Sequence, residues 1–341
     1  MSHHAIYELK LKPVSGWITD LTADTIFGHL CWQIKYEFGD EVLREFLNEM
    51  GQEPIFTLSD ILPLEGLPRP ITSLDSYVDE KIIDNSEKHK AEKERIKHYC
   101  KIDFISQDVL WQISNFDSIH HDNIKDIRDF VLWNNVEKWK YSKWFKRNNY
   151  FSNHMENKNI INRYSATTWN NWIYSQSFVW SWRELRLLLK QIKDCNLEEY
   201  HIWWNKINFF ELILRIFAKT WFWKNKSTWK WIFELSPWYK NDFFSNLEKK
   251  QNKILLLSPF IPSSVDSTKW NYRIFTKFPK MWEEYSLEWF NFYKKPLVMI
   301  NTWACFDISE LYTWYVWKMI ENVDFNKQWI YHYAYGFTLE F

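Results

Sequence analysis

Residues 220–231, TWFWKNKSTWKW, gather three lysines (Lys224, Lys226, Lys230), one amide (Asn225) and two hydroxyls (Ser227, Thr228). Ammonium groups neutralise phosphates, and amides and hydroxyls bond 2′-hydroxyls, so this set suits the sugar–phosphate backbone of single-stranded RNA. A surface hairpin with incidental lysines accounts for the same letters. The spacing of Trp221, Trp223, Trp229 and Trp231 argues against that plain reading. Those four positions fall where a phosphate-cradling loop reserves glycine, whose missing Cβ lets backbone N–H groups approach an anion closely. An indole at each would do the opposite.

The composition explains the conflict. The chain has 24 Trp and only 6 Gly in 341 residues. Ordinary glycine usage, about 7%, would give roughly 24. Heavy use of Asn, Lys, Ile, Phe and Tyr fits an A/T-rich gene, in which UGA is a common triplet. Some bacterial lineages read UGA as glycine, and we read the surplus tryptophans as such codons translated by the ordinary table. Taken literally, a dozen overpacked or strained sites at about 1–3 kcal/mol each would outweigh a total stability of about 5–15 kcal/mol. UGG codons at 221, 223, 229 and 231 would end this reading. The literal alternative is a carbohydrate- or ligand-stacking module.

Other residues invite chemistry. Asn162, Arg163, Thr167, Thr168 and Tyr174 form a second polar cluster on an expected hairpin. Arg163 suits a bidentate phosphate contact and Tyr174 a stacked base, although a polar loop needs neither. Lys138 to Asn149 alternates basic and aromatic residues, either as a nucleic-acid surface or as a helix with an apolar stripe. His29 is a structural histidine or a general base, with no neighbours that declare a catalytic constellation. His120 and His121 lack a metal-ligand pattern. No metal or cofactor site is expected.

The elements that must position these groups follow from periodicity. IYELKL (6–11) alternates as a strand, and 22–40 reads as a helix whose apolar face is Ile26, Phe27, Leu30, Cys31, Ile34 and Phe38. Thr22 or Asp24 can cap its start, and Gly39 can end it. Val42 to Met50 is helical, 54–63 strand-like, and 79–99 a charged, solvated insertion. Ile173–Phe178, Leu185–Leu189 and Ile232–Leu235 read as strands, and Phe209–Phe217 as the helix that leads into the glycine-type loop. Further strands are expected within 254–262, 272–278, 296–302 and 331–341.

Strand, helix, paired strands, helix, strand gives a βαββαβ unit. The expected class is α+β: two ferredoxin-like (RRM-like) domains with an inserted helical or hairpin region. The first spans 1–240, with an insertion at about 71–160 and the loop at 220–231; the second spans 241–341. Basic and acidic residues balance at 43 each, so any nucleic-acid surface is a local patch. Four scattered cysteines fit a reducing compartment, and no apolar run reaches membrane-spanning length. A soluble, cytoplasmic protein without membrane contact is expected.

With those tryptophans read as glycines, DTIFGHLCW (24–32), LSDILP and LPRP (58–63, 67–70), NRYSATTWNNWIYS (162–175), TWFWKNKSTWKWIF (220–233), YRIFTKF (272–278), KKPLVMINTWACF (294–306) and YHYAYGF (331–337) resemble the RAMP superfamily of type III CRISPR effector complexes. The resemblance runs nearly end to end. It is nearest to the type III-A Csm-complex subunit of the Cas-five-like group (Csm subunit four). The loop 220–233 matches G-x-G-K-x-x-S-x-G-x-G-x-F, the most specific of these blocks. The resemblance implies glycine at Trp169, Trp172 and Trp303, and also at Trp270, Trp282, Trp289, Trp314, Trp317 and Trp329, but leaves Trp17 and Trp32 as tryptophan. It implies a scaffold without catalysis that binds the 5′ handle of CRISPR RNA. Its partners would be that RNA, the large polymerase/cyclase-type subunit and the backbone RAMP subunits. The enzyme alternative is a metal-independent RAMP endoribonuclease using His29.

Overall fold

The computed structural model describes residues 5–17, 21–70, 90, 103–107, 110, 152–161, 168–218, 233–247, 253–261, 272–277, 295–307, 319–320 and 332–340; residues 152–161, 168–178 and 180 are described by their backbone. The chain begins with β1 (Ile6–Pro13), α1 (Ala23–Phe38), α2 (Asp40–Gln52), β2 (Phe56–Leu58) and β3 (Leu62–Pro63). β4 (Leu67–Pro68) pairs with β5 (Phe104–Ile105), and β6 (Ser152–Ile161) with β7 (Thr168–Trp180). Then come β8 (Leu185–Gln191), the hairpin β9 (Tyr200–Ile202) and β10 (Asn205–Ile207), α3 (Phe209–Ala218), β11 (Phe233–Leu235) and β12 (Tyr239–Lys240). α4 (Asp242–Leu247), β13 (Lys253–Leu256), β14 (Ile274–Lys277), β15 (Leu297–Ile300), β16 (Cys305–Asp307) and β17 (Thr338–Glu340) complete it.

The main sheet has the order β11-β1-β8-β2, with β12 also on β1 and β3 on β8, every pairing antiparallel. That is the order of a βαββαβ unit, with α1 and α3 as its crossovers. Among the described residues, the C-terminal part shows the sheet β16-β13-β17 and the ribbon β14-β15, without a second sheet of that order. The fold is mixed α+β.

Alternation along β1 and β8 creates two unlike faces. Leu9, Leu11, Leu185, Leu187 and Leu189 join Ile26, Phe27, Leu30, Ile34, Phe46, Phe209, Ile213 and Phe217 in one apolar core beneath the helices. Burying each such side chain stabilises the fold by about 1.5–3 kcal/mol. The other face carries polar residues, of which Glu8, Arg186 and Lys190 are equally buried while Lys10 and Lys12 stay exposed. Arg186 lies 3.7 Å from Glu8 with both side chains out of solvent, and its guanidinium sits 5.6 Å from the Phe244 ring of α4. The Lys190 ammonium donates to the Thr338 carbonyl (3.3 Å) and hydroxyl (3.4 Å) in β17. Thus the part of the sheet surface around Glu8, Arg186 and Lys190, on a face where an RRM stacks bases, is here covered by later parts of the chain.

Two local expectations change. The segment 54–63 is not one strand but two, β2 and β3, separated at Ser59–Ile61. The break carries Asp60 to the start of α1, where its Oδ1 accepts the Ala23 N–H at 2.9 Å. Thr22 makes no side-chain cap bond, because its hydroxyl donates to the Asp24 carboxylate at 2.6 Å. A carboxylate distant in sequence therefore does the capping. Gly39 ends α1 at φ 94, its N–H on the Lys35 carbonyl.

Candidate nucleic-acid interface

The expected RNA-binding residues Lys224, Asn225, Lys226, Ser227, Thr228 and Lys230, and the glycine-type positions Trp221, Trp223, Trp229 and Trp231, lie outside the described residues, as do Arg163 and Thr167. Their attachment points are described. α3 ends at Ala218, and the rings of Phe217 and Phe233 meet edge to face at 5.6 Å. β11 then pairs with the end of β1, Phe233 opposite Pro13 and Leu235 opposite Leu11. Residues 219–232 thus leave and re-enter the fold at two points clamped together by aromatic packing and strand pairing.

The second cluster is tied to the same place. Trp17, 3% exposed, stands 5.7 Å from the Phe233 ring. Its backbone exchanges two hydrogen bonds with Val179, at 2.8 and 2.6 Å, one residue before β7 ends. Trp17 therefore joins the base of the β6–β7 hairpin to the base of the 219–232 connection. The sequence offered no signal for this joint: Trp17 and Val179 are remote in the chain, and neither belongs to a motif.

Within β7, Thr168 pairs with Ile161 and Tyr174 with Lys158. Between the pairs Asn159↔Ile173 and Ile161↔Thr168 the register slips. The β7 side is longer there: 169–172 stand against Ile160 alone and include Trp169 and Trp172, both expected to be glycine. A strand glycine commonly marks such an irregularity.

Around the loop base the surface carries Lys10 and Lys12. The Lys12 ammonium donates to Glu234 at 2.7 Å, and that bond holds its pKa above the ordinary lysine value. Lys10 lies 5.2 Å from the Tyr239 ring, and its backbone N–H donates to the Ser236 hydroxyl at 3.1 Å. These exposed contacts contribute little to stability, so the two cations can be recruited by an anion at low cost.

His29 sits on α1 with its Nε2 shut off from solvent, and burial pushes its imidazole down to about 4. A general base works best with a pKa near the operating pH, so this environment is poorly matched to proton abstraction. Among the described residues no group of three or more His, Cys, Asp and Glu is placed to hold a metal ion. Nor is any described helix long and apolar enough to cross a membrane.

A buried polar network joins α1 to the C-terminal ribbon. Burial alone would raise Asp24, but the Lys277 ammonium, 2.6 Å away, together with His332 and Thr22, holds its carboxyl below the usual range. Asp60 is dominated by burial, which pushes its carboxyl up to about 6 despite bonds from the Ala23 N–H and the Thr302 hydroxyl, both 2.9 Å. Thr302 belongs to the turn between β15 and β16. In that turn Trp303 takes φ 87, and its N–H donates to the Leu256 carbonyl at 2.9 Å. Positive φ is the region that glycine enters freely and bulky residues avoid.

No protein-family profile matches this chain, and no curated protein matches it. Solved structures do. A chain in the crystal structure of the Csm3-Csm4 subcomplex in the type III-A CRISPR-Cas interference complex is similar over 98% of this chain and 99% of that chain, with a TM-score of 0.57 and 12% identity. Crystal structures of the Csm1-Csm4 cassette in complex with cA4 and with AMPPNP give TM-scores of 0.49 and 0.48, each at 12% identity over 98% of this chain and 96% and 97% of the matched chains. This chain shares the fold of the first of these.

Proposed function

We propose that this chain is a RAMP subunit of a type III-A CRISPR interference complex, the counterpart of the Csm4 chain. It binds the 5′ handle of the CRISPR RNA and catalyses nothing itself. The observation that carries this reading is the near full-length fold likeness to a chain of the Csm3-Csm4 subcomplex. The loop 220–231 and the segment with Arg163, Thr167, Thr168 and Tyr174 serve as the RNA contacts. Support comes from the common anchor of their bases at Trp17, Phe233 and Val179. The covering of Glu8, Arg186 and Lys190 on the polar face of the sheet also favours a loop-and-hairpin surface over a sheet-face reader. Glycines at 169, 172, 221, 223, 229, 231 and 303 leave the main chain bare where it must approach nucleotide or neighbour. The chain folds as two ferredoxin-like units, 1–240 and 241–341. In the cytoplasm it caps the backbone RAMP subunits and docks the large polymerase-type subunit.

The test uses protein bearing glycine at those positions, incubated with repeat RNA without divalent metal. Tight binding with the RNA left intact is expected. Cleavage that His29→Ala abolishes would instead establish the endoribonuclease reading. Replacing Lys224, Lys226 and Lys230 together by Ala should lower the slope of log binding constant against log salt by about two, from about 0.7 per phosphate contact on a single strand. An unchanged slope would remove the loop from the RNA site.

A further inference from the structure

β9 and β10 pair with Ile202 opposite Asn205, leaving a two-residue loop of Trp203 and Trp204. Two-residue hairpin loops take type I′ or II′ turns, because only these match the twist of the strands they join. Both turns need positive φ at the first central residue, and type II′ needs it there alone. Trp203 has φ 54, whereas Trp204 is not among the residues of positive φ. This is the type II′ pattern, whose first central position belongs to glycine.

The side chains gain the fold little at this site. Trp203 is 50% exposed and Trp204 85%, their rings tilted against each other at 5.8 Å. Tryptophan is highly buried on average in folded proteins. Among the described residues only two that are not glycine take positive φ, Trp203 and Trp303, and both are tryptophan. The described glycine of positive φ, Gly39, has φ 94. No resemblance motif reaches residue 203, so this position stands on backbone geometry independently of any functional reading.

We infer that residue 203 of the native polypeptide is glycine and that the hairpin 200–207 closes through a glycine-led type II′ turn. The indole at 203, and with it the ring pair at the tip, is then an artefact of translation by the ordinary code, not a platform for stacking nucleotides or sugars.

The experiment is tandem mass spectrometry of the peptide spanning 201–206 from protein isolated from its own source. Glycine at 203 is expected; an intact indole there overturns the inference. A second measurement needs no native material. In the chain as printed, Trp203→Gly should raise the folding equilibrium constant about tenfold, the cost of a side chain at positive φ. Trp203→Ala keeps the Cβ and should recover little of that gain. Equal gains from Ala and Gly would trace the effect to the indole's bulk and overturn the backbone argument.

Discussion

At the end of the main sheet, Trp17 is 3% exposed, bonded through both backbone groups to Val179 and packed on Phe233. In the turn between β15 and β16, Trp303 carries the same side chain at φ 87, with Phe104 edge-on at 6.1 Å. The first region is built around its indole. The second has a backbone that an indole can only strain. Trp238 belongs with the first: its ring lies 5.2 Å from Phe210, and its Nε1–H donates to the Phe210 carbonyl at 3.2 Å. A tryptophan that the fold uses is thus known by ring packing together with burial, as at Trp17, or with a partner for the indole N–H, as at Trp238. A position better suited to glycine is known by φ.

The comparison breaks most readily at Trp17. Trp17→Ala should cost about 3–5 kcal/mol of folding stability, measured by denaturant titration of the isolated protein. A loss below about 1 kcal/mol would mean that Trp17 is no more used than Trp303.

A second test asks whether the 301–304 turn is held by its neighbours whatever residue 303 is. The Thr302 hydroxyl reaches Asp60, whose carboxyl is raised from 3.8 to about 6 chiefly by burial. Between those values the folded chain keeps a proton that the unfolded chain releases. Asp60 therefore favours folding below about pH 4, and its contribution falls as pH rises through about 6, by about 3 kcal/mol in all. Asp24 has the opposite sign: its lowered pKa stabilises above the ordinary aspartate value and is lost as pH falls below it. Stability of the wild type relative to Asp60→Asn, followed from pH 4 to about 6, should therefore decline. A constant difference would place the Asp60 carboxyl in solvent.

The smallest effect sharpens the contrast most. Trp303→Gly should stabilise the chain as printed by about 1 kcal/mol, read as a shift of the denaturation midpoint. The same change at Trp17 should be destabilising, so the two measurements together separate the classes.

Local periodicity made much of this fold legible. The apolar face of α1 was plain in the letters, as were strands at 6–11 and 185–189, which the fold extends to 6–13 and 185–191, and Gly39 as a stop. The hairpin 200–207 was hidden because its turn reads Trp-Trp, which carries no turn chemistry. Burial of Glu8, Arg186 and Lys190 was equally hidden: alternation in β1 and β8 marks them as a solvent face, and only distant residues of α4 and β17 enclose them. At the candidate interface the lysines and hydroxyls stood out by spacing. Their common anchor did not, since a backbone bridge between Trp17 and Val179 depends on no side-chain pattern.

The closure of that second sheet face has a bearing on how the protein is made. Lys190 finds its acceptor in Thr338, 148 residues further along. While the ribosome is still working through the stretch between them, the bonds that join this central strand to β17 cannot form. A nascent chain at that stage has built the central strands but not the late segment that covers part of their polar face.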